Sequence, residues 1–198
     1  MKRLIFSLNI FLIISIIWGA GMMYGKIPWK ENNALHTLFN TTGGNDWNNK
    51  TNWNSAPGTE NTWRGVTCDT ENMRVLELNL AKNNLKGTLP VELGDLSNLV
   101  ALDLSGNSLT GPFPGCIRQL KSLKRLNLSN NLLSGPIPPW LGELENLEEL
   151  RLDNNMLTGP IPKEFEKLSK LKTLSLNSNR LSGEIPSNMG ELSQLVNN

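Results

Sequence analysis

The sequence predicts an α/β solenoid: coils stacked along one parallel β-sheet, covered at the N-terminal end by a helical cap. Three observations carry this. Asn83, Asn107, Asn131, Asn155 and Asn179 recur every 24 residues, and Gly87, Gly111, Gly135, Gly159 and Gly183 keep the same step, as do Pro90, Pro114, Pro138, Pro162 and Pro186. No insertion or deletion breaks the register over five copies, 75–98, 99–122, 123–146, 147–170 and 171–194. A period of this size means one coil per copy, each buried only against its neighbours. A short helical pattern and a Trp-rich segment precede the first copy, where such a stack needs a cover.

The N-terminus reads as a targeting segment. Lys2 and Arg3 precede an apolar run, Leu4 to Trp18, followed by the small residues Gly19, Ala20 and Gly21. This is the order of a secretory signal over residues 1–21. An uncleaved anchor from Leu4 to about Met23 is the rival reading. Both place the remainder outside the cytoplasm, secreted or at the cell surface.

Residues 22–74 form the cap. Pro28 suits a helix start. Ala34, Leu35, Leu38 and Phe39 then make an apolar stripe that Gly43-Gly44 ends. Trp47, Trp53 and Trp63 follow, and Trp63 to Cys68 alternates like a short strand. Three indole rings are too much apolar area to leave in water. They either cover the first coil or line a sugar site.

Residues 75–198 are the repeats and the start of a sixth. In the third copy, Leu126 and Leu128 alternate with polar residues, the mark of a short strand with its leucines inward. The Asn column stands where the chain leaves the strand, and its amides can satisfy turn groups that water cannot reach. The Gly column allows positive φ, and the Pro column favours extended chain. Leu93, Ile117, Leu141, Phe165 and Met189 point inward from the outer side, with Leu96, Leu120, Leu144, Leu168 and Leu192. Leu195 to Asn198 opens a sixth copy without a polar closing cap. The expectation is a piece of a longer repeat protein, the alternative a complete chain that dimerises through that end.

The pattern Leu-x-x-Leu-x-Leu-x-x-Asn-x-Leu-x-Gly-x-Ile-Pro at this period resembles the plant-type leucine-rich repeat. Trp63-x-Gly65-Val66-x-Cys68 is similar to the tail of that family's N-terminal cap, and Thr42 to Trp47 to the version seen in many microbial and algal members. The resemblance covers about residues 33 to 198. It implies a right-handed coil stack with the sheet on the concave face, as in receptor ectodomains and inhibitors of secreted enzymes. Two departures stand out. Such caps pair two cysteines, whereas only Cys68 is present, and the second copy carries Phe113 and Arg118 where Ile and Gly are usual. Coil stacking sets Cys68 and Cys116 roughly 10 Å apart, beyond disulfide reach, which predicts two free thiols.

Formal net charge is +1 over 198 residues, and −1 without Lys2 and Arg3. That excludes a nucleic-acid binder steered by bulk charge. Catalysis finds little support. His36 is the only histidine, and no paired-His metal motif or phosphate-binding loop is present. Asp103 and Asp153 stand two coils apart and make a poor calcium pair. No enzyme activity, cofactor or metal is expected. Function falls to the outward sheet positions, in three columns: Glu77, Ala101, Arg125, Glu149 and Thr173; Asn79, Asp103, Asn127, Arg151 and Ser175; and Ala81, Ser105, Ser129, Asp153 and Asn177. Arg125, Glu149, Arg151 and Asp153, with Asp103 beside them, form a mixed-charge patch able to grip a protein or peptide. The other readings are a solvated, inert face, a structural or adhesive surface protein, and a secreted inhibitor. Asn40, Asn49 and Asn127 open Asn-x-Ser/Thr triplets, candidate glycan sites in a eukaryotic host; a glycan on Asn127 would obstruct the sheet.

Overall fold

A computed structural model describes residues 27–71 and 73–195. The signal or anchor reading of residues 1–21 lies outside the described residues. The cap opens with helix α1 (Trp29–Thr41), entered from Pro28 and left through Gly43, whose φ of 71° is open to glycine at little cost. Ala34, Leu35, Leu38 and Phe39 are all buried, as their spacing predicts. The chain then reaches strand β1 (Val66–Cys68) and enters the repeats.

Each repeat gives a strand, a bend, a second short strand and one turn of 3₁₀ helix. The first strands are β2 (Val75–Asn79), β4 (Ala101–Asp103), β6 (Arg125–Asn127), β8 (Glu149–Arg151) and β10 (Thr173–Ser175). Between and after them lie β3 (Lys86–Gly87), β5 (Ser108–Gly111), β7 (Leu132–Pro136), β9 (Met156–Gly159) and β11 (Arg180–Leu181). The Pro column is extended, with Pro90 at φ −76° and ψ 154°, and leads into the 3₁₀ turns beginning with Val91–Asp95. Leu93, Ile117, Leu141 and Phe165 close the core from that side with no exposed surface.

Two features depart from expectation. The main sheet, in order β1-β2-β4-β6-β8-β10, is parallel except at its cap edge, where β1 runs antiparallel to β2. A second sheet, β11-β9-β7-β5-β3, stands beside the single sheet that the sequence predicts. Its register differs too. Leu126 pairs with Leu150 in the main sheet, a step of 24 residues, whereas Ser134 pairs with Met156 in the second, a step of 22. Equivalent residues in the second sheet therefore slide along the strand by two positions, about 6.6 Å, per coil.

The Asn column carries the transition between the sheets. Asn131 Oδ1 accepts the Leu109 N–H of the preceding coil at 3.0 Å. Its Nδ2 donates to Leu104 O of that coil at 3.0 Å and to Leu128 O of its own at 3.1 Å. Asn155 repeats the set with Leu133 N–H, Leu128 O and Leu152 O, and Asn179 with Leu157 N–H, Leu152 O and Leu176 O. Asn83 has no coil before it and bonds the cap instead, through the Asn49 N–H and carbonyl. The column is structural, as expected, and at Asn131, Asn155 and Asn179 its bonds divide evenly between the preceding coil and the asparagine's own.

The three tryptophans are interior. Trp47, Trp53 and Trp63 are 4%, 0% and 2% exposed, which closes the sugar-site reading of their rings and assigns them to the cover. Each indole N–H is satisfied, by Thr42 O, Arg64 O and Thr59 Oγ1. Two glutamates are buried, Glu60 bonding within the cap and Glu31 joining the cap to the first repeat. Glu60 accepts from Asn32 Nδ2 and the Gly58 N–H. Glu31, only 3% exposed, accepts the Val75 N–H at 2.7 Å and lies 3.8 Å from Arg74 Nε. Burial pushes the Glu31 carboxyl above the usual carboxylate range, against the pull of the Val75 N–H and Arg74.

Two outcomes follow for urea unfolding. Asn131→Ala strands the Leu109 N–H, whereas Leu104 O and Leu128 O each keep a donor, from Asn107 and Asn155. One buried group left unpaired costs about 1–3 kcal/mol, so the variant loses on that order, and Asn179→Ala, at a partly exposed rung, loses less. For Glu31 the folded form holds its proton more tightly than the unfolded. Its contribution is full below the unfolded value and is lost as pH rises through the raised folded value. Glu31→Gln therefore gains on the wild type as pH climbs through that window. A stability difference independent of pH would contradict this assignment.

Candidate functional site

The sheet face is built by the first two outward columns. Their register is continuous: Glu77, Ala101, Arg125, Glu149 and Thr173 are paired neighbours, as are Asn79, Asp103, Asn127, Arg151 and Ser175. The third column differs from the reading above. Ala81, Ser105, Ser129, Asp153 and Asn177 lie beyond the strand ends, and Ser129 is buried. The cause is local. Asp103 Oδ1 accepts both the N–H and the hydroxyl of Ser105, at 2.9 and 2.7 Å, and Asn127 Oδ1 does the same for Ser129. These turns fold the third position away from the strand plane and engage the Asp103 and Asn127 side chains.

Within the first column, side-chain length decides the pairing. Arg125 Nη2 reaches back two coils to Glu77 Oε1 at 2.8 Å, over Ala101, whose methyl leaves the row open. Both partners are about half exposed, 50% and 45%, so the pair contributes at most about 1 kcal/mol and yields readily to a ligand. Glu149 instead bonds Arg151 through the arginine Nε. A shallow depression results, its rim formed by Glu77, Asn79, Asp103, Arg125, Asn127 and Glu149 around Ala101. Asp103, Arg125 and Glu149 of the predicted patch thus meet in one place. Arg151 stands beside it on Glu149, and Asp153 bonds Asn154 instead. Glu77 was legible in its column but not as the partner of Arg125, which only the small size of Ala101 reveals.

A second row of charges precedes the sheet. Glu148 lies between Lys124 at 3.9 Å and Lys172 at 2.6 Å, and the Lys172 hydrogen bond holds its carboxyl below the usual range. Arg118 grips Glu143 with two nitrogens, at 2.9 and 2.7 Å, and does the same to that carboxyl. The unusual residues of the second copy are thereby explained: Arg118 clamps the next coil, and Phe113 packs edge-on against Trp140 at 6.0 Å.

Groups that could do covalent chemistry are placed for packing. Both thiols are free. Burial, with Glu60 and Asp69 nearby, pushes Cys68 up to about 11, and burial also raises Cys116. Thiols so shifted are poor nucleophiles. His36 sits edge-on to Trp63 at 5.0 Å. Among the described residues no group of three or more His, Cys, Asp or Glu side chains could hold a metal ion. Of the glycan triplets, Asn40 and Asn49 are exposed and Asn127 is half-buried.

Comparison with known proteins agrees with this architecture. Models described as leucine rich repeat match residues 73–133, 97–157 and 170–192. The crystal structure of the BIR2 ectodomain from Arabidopsis thaliana superposes with a TM-score of 0.74 at 35% identity, over 79% of this chain and 84% of that one. The plant peptide hormone receptor RGFR1, in complex with RGF2, gives a TM-score of 0.56 at 38% identity, over 57% of this chain and 18% of that one. A curated relative, the probable leucine-rich repeat receptor-like protein kinase At5g49770 from Arabidopsis thaliana, is 40% identical over 89 residues, 44% of this chain. The match spans 9% of that relative's length. The chain belongs to the leucine-rich-repeat family and resembles its extracellular receptor ectodomains.

Proposed function

We propose that this chain is an extracellular recognition module whose sheet face binds a protein or peptide partner without covalent chemistry, as the N-terminal part of a receptor ectodomain. The observation that carries the proposal is the charge arrangement around Ala101. The inward columns repeat, while the outward ones change from coil to coil and leave exposed carboxylates and guanidinium groups about one recess. Such a surface selects a partner by charge order. Arg125 and Arg151 are the residues to carry it, with Glu149 setting the orientation of Arg151. Glu77 and Arg125 exchange their mutual bond for bonds to the ligand. The RGFR1 relative, captured with RGF2, supports a peptide as partner. Placement outside the cytoplasm rests on the charged, apolar, small-residue order of residues 1–21 and on the ectodomain relatives.

The test is a panel of synthetic extended peptides, of varied charge order, offered to the wild type and to Arg125→Glu/Arg151→Glu. Peptides bound by the wild type lose about tenfold or more in affinity in the variant, while its unfolding midpoint stays close to that of the wild type. Equal binding by both proteins, or none by either, contradicts the sheet-face reading.

A further inference from the structure

The cap meets the first coil in a second recess, of about 130 Å³, lined by Asn48, Asn49, Arg64, Asn79, Lys82 and Asn83, with Leu80 and Ala81. That is below the range of drug-sized ligand sites, roughly 300–1,000 Å³, and admits at most one sugar unit. Its walls are fixed by backbone bonds. Asn48 N–H donates to Asn83 O at 3.1 Å, and Asn49 N–H to Asn83 Oδ1 at 2.6 Å. Arg64 N–H donates to Thr51 O, and Arg64 O accepts from the Trp53 indole. Lys82 N–H donates to Ser105 O, and Lys82 O accepts from Asn48 Nδ2. Gly106 of the next coil leaves room for the Lys82 stem, since a Cβ there would lie 2.8 Å from its Cγ.

The two cations of this recess differ from those of the sheet face and the Glu148 row. Arg125, Arg151, Lys124 and Lys172 all have carboxylate partners, whereas Arg64 and Lys82 have none among the described residues. Two of the amides also keep donors to spare: Asn49 and Asn79 bond others through Oδ1, and their Nδ2 groups make no bond among the described residues. The recess is therefore rich in donors and cationic, its backbone fixed and its charged side chains exposed. It offers little apolar floor, because Leu80 is itself 2% exposed, and it contains no aromatic anchor. A peptide side chain would gain little burial here. A sugar ring would be held by its hydroxyls on the planar amides and by an acid group on the guanidinium and ammonium.

We propose that this recess is a binding site for an acidic sugar, a uronate unit of an oligosaccharide, with Arg64 and Lys82 holding the carboxylate and Asn49 and Asn79 donating to ring or hydroxyl oxygens. The site adjoins the peptide-binding face, sharing Asn79 with its rim, and does not depend on that reading. Asn49 opens a glycan triplet, and a glycan there would fill the recess, so the full chain is tested without N-glycans.

The probe is tetragalacturonate, titrated calorimetrically beside its neutral methyl ester and a tetraglutamate peptide. The acid tetramer binds saturably and weakens with added salt, and the methyl ester binds at least about tenfold more weakly. Arg64→Gln/Lys82→Gln loses a similar factor at an unchanged unfolding midpoint, while Arg125→Glu/Arg151→Glu binds as the wild type does. The proposal is overturned if no saturable binding occurs, if the ester binds equally, if the double glutamine variant is unaffected, or if the sheet-face variant loses the sugar as well. Equal or tighter binding of tetraglutamate also overturns it, and would identify the recess as an acidic-peptide site.

Discussion

Successive coils of this protein are tied through one asparagine amide each, buried at Asn131 and Asn155 and partly exposed at Asn107 and Asn179. The asparagine at the end of each main-sheet strand offers an acceptor to an N–H of the preceding coil and divides its two hydrogens between carbonyls of both coils. No other side chain of similar size can do this in a dry turn. Aspartate lacks the donors, and leucine would strand the N–H and halve the donors to both carbonyls. The amide also stands where the pairing step changes from 24 residues to 22, a transition in which backbone groups alone would fall out of register. The leucine core fills the space inside the coils, but the asparagines keep successive coils in one alignment. The cap uses the same device, since Asn83 reaches Asn49 as the later asparagines reach their preceding coils.

Because alignment is secured from inside, the outward strand positions are free to vary. Some of that freedom is spent locally: Asp103 and Asn127 close turns with Ser105 and Ser129. What remains is confined to long charged side chains, and their reach is set by their neighbours. Arg125 passes over Ala101 to Glu77 because the methyl between them is short. The charge order of the sheet face is thus a product of column geometry, with each coil contributing one or two groups.

The repeat, the inward columns, the cap helix and the free thiols were all legible in the sequence. Period and polarity determine them, and both are local properties of the chain. Two things were not legible. The second sheet needs a register shift that strict 24-residue spacing hides, since equivalent residues are not the ones that pair. The Arg125–Glu77 contact needs side-chain lengths from three coils considered together. The patch of Arg125, Glu149, Arg151 and Asp153 came from column membership alone. In the folded chain Arg125, Glu149 and Asp103 share a recess, Arg151 flanks it, and Asp153 turns to Asn154. Glu31 and Glu60 gave no signal either, because a glutamate in a polar cap reads as solvated until the strand N–H or loop it receives is placed.

The central claim is that the asparagine amides couple the coils. It is tested most directly by amide hydrogen exchange in Asn131→Ala. The Leu109 N–H loses its acceptor in this variant, while the Leu133 N–H keeps its own on Asn155. The account predicts that exchange at Leu109 rises by about tenfold or more, and that protection falls together in the main-sheet amides of the coils on both sides of the lost rung. Unchanged protection at Leu109, or a change confined to that single amide, would contradict it.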